Sequence, residues 1–169
     1  CWVRDAAMTI DALNKIGRSY EAKEFMDFIM NQVLKNEFIS VMYGIKGETK
    51  LKEETLDHLD GFYSSKPVRI GNAAYKQDQH DIYGELIDVI YLYYVYYGFK
   101  NKMTKKYWRF LKFIVNQIKF NWEKEDQGIW EFRGLRQHYT FSKLMCYIGM
   151  DRAIKVAQHF GKEDLANQW

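Results

Sequence analysis

The chain has 169 residues, 47% of them apolar and 17% aromatic, which suffices to bury a core and excludes a disordered segment. Its net charge of +3 is small and spread out. Clusters such as Lys100-Asn101-Lys102 and Lys105-Lys106 read as solvated helix ends, so a nucleic-acid surface is not expected.

The first helix is predicted to begin at Asp5, a good N-cap ahead of Ala6, Ala7, Met8, Leu13 and Ile16, and to end at Gly17. A second runs from about Ser19 to Lys35, with Ala22, Phe25, Met26, Ile29 and Val33 at helical spacing. The Gly17-Arg18 turn between them is short enough to force an antiparallel hairpin. From Asn36 to Lys76 the periodicity fails, apart from a helical turn over Thr55 to Leu59. A loop of that length in a compact domain is usually functional.

The third helix, about Gln79 to Tyr97, is apolar nearly all round and stops at Gly98. Its run from Val89 to Tyr97 is about half the ~20 residues a membrane span needs, and Asp81, Glu85 and Asp88 lead into it, so a buried helix is expected instead. A fourth helix, about Thr104 to Trp122, carries Leu111, Ile114, Val115, Ile118 and Trp122 on one stripe. A fifth, about Thr140 to Phe160, packs Phe141, Leu144, Met145 and Ile148, and a sixth follows Gly161. The pattern is all-α, with no strand signal. Helices beginning at Asp5, Gln79 and Thr140 are the inner, parallel ones, so their N-termini and partial positive charge meet at one end.

Three polar clusters stand at those N-termini: Trp2/Arg4/Asp5, Arg69 to Asp81, and Glu131 to His138. Within the last, Glu131 lies between Trp130 and Phe132. A carboxyl poorly solvated against rings keeps its proton to higher pH, which suits a general acid. Aspartate and arginine are natural partners for vicinal hydroxyls, as acceptor and donor fork. Trp2 and Trp130 offer flat apolar faces. Against this stand plainer roles: Asp5 and Asp81 as helix caps, Arg4 in a salt bridge, and Trp2 as a support behind the acid. His80, His138 and His159 have no metal-ligand spacing, and Cys1 and Cys146 form neither a disulfide framework nor a zinc pair, so a reducing, cytoplasmic setting is expected.

Taken together, Cys-Trp-Val-Arg-Asp (1–5), Met-Tyr-Gly-Ile (42–45), Pro-Val-Arg-Ile-Gly-Asn (67–72), Gln-His-Asp-Ile-Tyr-Gly-Glu (79–85) and Gly-Ile-Trp-Glu-Phe-Arg-Gly (128–134) resemble glycoside hydrolase family 15. The Met-Tyr-Gly-Ile and Gln-x-Asp-x-Tyr-Gly-Glu forms look closer to the trehalase-like prokaryotic branch than to fungal glucoamylases. The resemblance implies an (α/α)6 barrel, inverting cleavage of α-glucosidic bonds by two glutamates, and neither metal nor cofactor. It makes Glu131 the general acid and Arg4 and Asp5 ligands of the non-reducing glucose. Trp2, Gln79, Asp81, Trp130 and Arg69 are expected as further substrate contacts.

There are departures. The Ala-Glu-Gln-type motif of the family's general base does not occur, and Phe132 stands where glucoamylases carry a further glutamate. The chain begins on Cys1 and stops within a helix, so it is expected to be roughly half a barrel, lacking the first outer helix and the C-terminal half. The substrate expected is an α-linked glucose di- or oligosaccharide. Exposed barrel edges would favour self-association. The competing reading is a non-catalytic carbohydrate-binding or regulatory module on the same fold.

Overall fold

The structure, a computed structural model, describes residues 1–100 and 102–169; Asn101 of the basic cluster lies outside them. Among the described residues six α-helices carry the fold: α1 (Val3–Lys15), α2 (Ser19–Asn36), α3 (Asp81–Tyr91), α4 (Lys105–Asn121), α5 (Thr140–His159) and α6 (Glu163–Gln168). Among the described residues no helix is long and apolar enough to cross a membrane.

Helix α3 is the centre of the inner layer, packed against α1 on one side and α5 on the other, with α4 behind it. The three inner helices run parallel, as side-chain pairs at both ends show. At the start, Arg4 Nε of α1 donates to Asp81 Oδ2 of α3 (2.5 Å), and near the far end Tyr97 Oη donates to Asp11 Oδ1 (3.0 Å). Between α3 and α5, Arg152 Nε donates to Asp88 Oδ1 (2.8 Å), and the Tyr94 and Phe160 rings meet edge to face further along. Helices α2 and α4 form the outer layer and touch each other. This is an all-α arrangement of inner and outer helices, with an apolar core between the layers made by Ile29, Val33, Ile87, Ile90, Leu111, Ile114 and Val115.

The α3–α5 crossing is unusually close because two glycines face it. A Cβ on Gly84 would lie 2.1 Å from the Met145 carbonyl oxygen, and one on Gly149 would lie 3.1 Å from the Gly84 Cα. Any side chain at Gly84 would push the two helices apart.

Several boundaries differ from the sequence reading. Helix α1 starts at Val3, with Trp2 as N-cap, and Asp5 sits inside the first turn rather than capping it. The start is set from a distance: Val3 N donates to Val41 O (3.0 Å), Tyr43 N donates to Cys1 O (2.8 Å), and Trp2 pairs with Met42 in an isolated bridge. Likewise Asp81 is the first residue of α3, with no side-chain cap there, so it is not a cap. The helical turn expected over Thr55 to Leu59 is confined to Leu56–Leu59, where Leu59 N donates to Leu56 O (3.1 Å), because Thr55 belongs to a two-residue strand β1 (Glu54–Thr55) that pairs antiparallel with β2 (Arg69–Ile70). Past Tyr91, α3 widens into a π turn over Leu92–Tyr96, which lets consecutive Tyr93 and Tyr94 both point inward at 2% exposure. Trp122 and Leu144, expected in the core, are about half exposed, at 51% and 49%. Trp122 lines a surface groove with Lys143, Tyr147 and Trp169 instead.

Candidate active site

The acid-bearing loop hangs from the N-terminal ends of α3 and α5. Asp126 and Gln137 exchange backbone hydrogen bonds (3.0 and 2.9 Å) and so close the loop at its base. Asp126 is 1% exposed, and its Oδ2 accepts from His80 N (2.8 Å) and Ser142 Oγ (2.7 Å). One buried carboxylate thereby joins the first turns of two helices, where the peptide dipoles favour negative charge. A second clip lies beside it: Gln127 N donates to Asp78 O and Asp78 N donates to Gln127 Oε1, both at 3.0 Å. Neither Asp126, Ser142 nor Gln127 stands out in the sequence, because the partners of each are far along the chain.

Inside the loop the backbone turns sharply. Gly128 has φ +66°, and a Cβ there would lie 2.7 Å from the Tyr139 ring. Glu131 itself has φ +56°, a left-handed conformation that costs a non-glycine residue about 1–3 kcal/mol and collects at functional sites. Its N–H donates to Gly128 O (3.2 Å), while its carbonyl oxygen and that of Phe132 both accept from Gln77 Nε2 (3.2 Å each).

The Glu131 carboxyl is half-buried. Burial raises its pKa above the ordinary glutamate value; the nearby Arg4 and Arg133 charges pull it down, and Asp5 pushes it up. Glu131 thus lies within electrostatic reach of Arg4, Asp5 and Arg133. The flanking rings do not form the expected sandwich: Trp130 is 80% exposed, and Phe132 stacks on Tyr139 at 5.6 Å. Burial, without a ring sandwich, is the main cause of the raised value.

Arg4 is held from below. Its Nε donates to Asp81 Oδ2 (2.5 Å) and its NH2 nitrogen to Gln79 Oε1 (2.7 Å). Asp81 and Gln79 are 0% and 1% exposed, so neither side chain opens to a sugar in this chain. They fix the guanidinium instead, and Arg4 is itself buried at 8% exposure, as the salt-bridge reading expects, while Asp5 is the exposed member of the cluster. Trp2 is half-buried and lines a groove of about 350 Å³ with Asp5, Thr9 and Leu13, on the α2 side of α1. Arg69 is exposed on β2, 3.8 Å from Glu53, and so stands outside the Arg4 network. Glu53 also takes Arg133 of the acid loop (2.8 Å), which ties the irregular segment to that loop. Glu85 lies one turn beyond Asp81 on α3; burial, and then the Asp81 and Asp88 charges, push its pKa up to about 7.

His80 is buried and stacked on Tyr83, and burial holds its pKa below the usual histidine value. Among the described residues no group of three or more His, Cys, Asp or Glu could share a metal ion. A groove of about 640 Å³ lies at the opposite end of the bundle, between α4 and the start of α6, and none of the residues above lines it.

Comparison with known proteins adds the rest. The chain is 40% identical to a trehalase of Mycolicibacterium smegmatis over 172 aligned positions, covering 99% of this chain and 25% of that protein. It is 38% identical to Trehalase 2 of Sulfolobus acidocaldarius (99% of this chain, 29% of that protein) and 35% identical to a trehalase of Thermoplasma volcanium (99% and 26%). The chain thus spans between a quarter and a third of the length of these relatives. No solved structure matches it significantly. The family model described as glycosyl hydrolases family 15 matches residues 1–169 from end to end. On these matches, and on the all-α fold that carries them, the chain belongs to glycosyl hydrolases family 15.

Proposed function

We propose that this chain is part of an inverting, exo-acting glycoside hydrolase that cleaves α-glucosidic bonds, with trehalose the favoured substrate and Glu131 the general acid. The observation that carries the reading is the meeting of Glu131, Arg4 and Asp5 in one electrostatic neighbourhood, with Arg4 anchored by Gln79 and Asp81. The choice of trehalose among α-glucosides rests on the names of the relatives.

In the mechanism, Arg4 donates to and Asp5 accepts from hydroxyls of the non-reducing glucose, which sets its anomeric carbon beside Glu131. The protonated Glu131 carboxyl gives its proton to the glycosidic oxygen as the C1–O bond breaks. Water then bonds to C1 from the opposite face and loses its proton to a second carboxylate outside this chain. The raised pKa of Glu131 fits the role, because a general acid works while it still holds its proton.

The test is Glu131→Gln in a protein carrying the complete family domain, assayed on trehalose, maltotriose and isomaltose. Turnover should fall by roughly 10²–10⁴-fold or more with the fold intact. The preferred wild-type sugar gives the substrate, and undiminished turnover by the variant would refute the acid.

A further inference from the structure

The side-chain amide of Gln77 is fully engaged. Its Nε2 donates to the carbonyl oxygens of Glu131 and Phe132 (3.2 Å each), and its Oε1 accepts from Gln79 Nε2 (2.9 Å). Gln79 Oε1 in turn accepts from the NH2 nitrogen of Arg4 (2.7 Å), whose Nε is bound by Asp81. Only one orientation of the two amides satisfies this chain. Arginine can only donate and a backbone carbonyl can only accept, so Gln79 must present oxygen to Arg4 and Gln77 must present nitrogen to the loop. The path therefore has a fixed polarity from the Arg4 guanidinium to the acid's own peptide group.

What it holds is the one strained residue of the acid loop, since Glu131 has φ +56° and its carbonyl is one of the two gripped. The remainder of that loop is tied down at its base by Asp126 and Gln127, and by the Arg133–Glu53 (2.8 Å) and Arg136–Asp78 (2.6 Å) salt bridges. Gln77 is the side chain that grips the acid's own carbonyl, and through Gln79 and Arg4 it links that carbonyl to the start of α1.

We infer that Gln77 is a positioning residue: through its amide it locks the Glu131 backbone in register with the Arg4-bound sugar, so that the carboxyl meets the glycosidic oxygen. This rests on the reading of Glu131 as general acid. A displacement of about 1 Å of a catalytic group can cost ~10²-fold in rate, so a single amide can matter this much.

The test uses a complete-domain protein with Gln77→Leu, and Glu131→Gln as control, on trehalose and on α-glucosyl fluoride. Fluoride leaves without a proton, so a misplaced acid is felt on trehalose alone. The expected result is a kcat on trehalose lowered by about 10–100-fold, a fluoride rate within about threefold of wild type, and an unchanged melting temperature. Equal losses on both sugars would show that Gln77 acts through Arg4 or the fold, and no loss would show that it does not act; either overturns the inference. Should Gln77→Leu fail to fold, Gln77→Glu carries the same test. Its carboxylate still accepts from Gln79 but repels both loop carbonyls, so the loss confined to trehalose should deepen as pH rises through that carboxylate's titration. A control Glu131→Gln with full turnover on trehalose would remove the acid reading itself, a failure distinct from a silent Gln77.

Discussion

Glu131 holds its carboxyl in the company of two arginines and an aspartate, and holds its backbone in a conformation that most side chains avoid. The raised pKa sets the sign of its pH dependence. Catalysis by the acid form is complete below the folded pKa and is lost as pH rises through it. The alkaline limb of kcat on trehalose should therefore lie above that of an ordinary glutamate, and a pH–rate profile of the complete enzyme checks it. Glu85 has a different consequence. Its pKa rises from 4.5 unfolded to about 7 in the fold, first through burial and then through Asp81. Folding thus favours the neutral form; stability is full below the unfolded value and declines as pH climbs through about 7. Glu85→Gln should leave the melting temperature near pH 4 unchanged and raise it at pH 8, by calorimetry at both values. An equal shift at both would show that ionisation is not the cause.

At the scale of elements, the crossing of α3 and α5 governs where the acid loop hangs, since Asp126 spans their first turns. Gly84→Ala would set a Cβ 2.1 Å from a backbone oxygen, which cannot step aside without moving a helix. Gly149→Ala would press mainly on the Ile118 Cδ1 at 2.8 Å, the far end of a side chain that can turn. Overpacking of this kind costs typically ~1–3 kcal/mol, so Gly84→Ala should lose clearly more stability than Gly149→Ala in denaturant melts. The helices themselves were legible in the sequence because their burial repeats every turn, as with Ala22, Met26, Ile29 and Val33. What escaped was whatever depends on partners far along the chain. The true start of α1 is dictated by Val41 and Tyr43, and the β1–β2 pair joins segments that carry no alternation. Gln77 and Asp126 escaped for the same reason: an isolated polar side chain announces no partner. Arg4, Asp5 and Glu131 could be singled out because a motif, not a period, marks them.

At the scale of the molecule, the inner layer is open on both flanks. Among the described residues, helix α1 packs chiefly against α2 and α3, and α5 chiefly against α3, α4 and α6. Met8 on α1 is accordingly 56% exposed, and Leu144 and Tyr147 on α5 are 49% and 70% exposed. Apolar side chains on an uncovered face favour association. The 169-residue chain by itself should therefore sediment as oligomers or aggregates rather than as a monomer of 20.3 kDa. It should also fail to hydrolyse trehalose. Inversion needs a carboxylate on the far side of the sugar, roughly 6.5–9.5 Å from the acid, with room for water between. The carboxylates in the first turns of α1 and α3, and Glu85 just beyond, do not suit that task. Asp81 is fully buried and bound to Arg4, Asp5 is given to the sugar hydroxyls in the proposed mechanism, and burial pushes the Glu85 pKa up to about 7. Purified alone and assayed on trehalose and maltotriose, the chain should show no turnover above buffer. Turnover that Glu131→Gln abolishes would mean that a base lies among these residues, with Asp5 the first to test by Asp5→Asn.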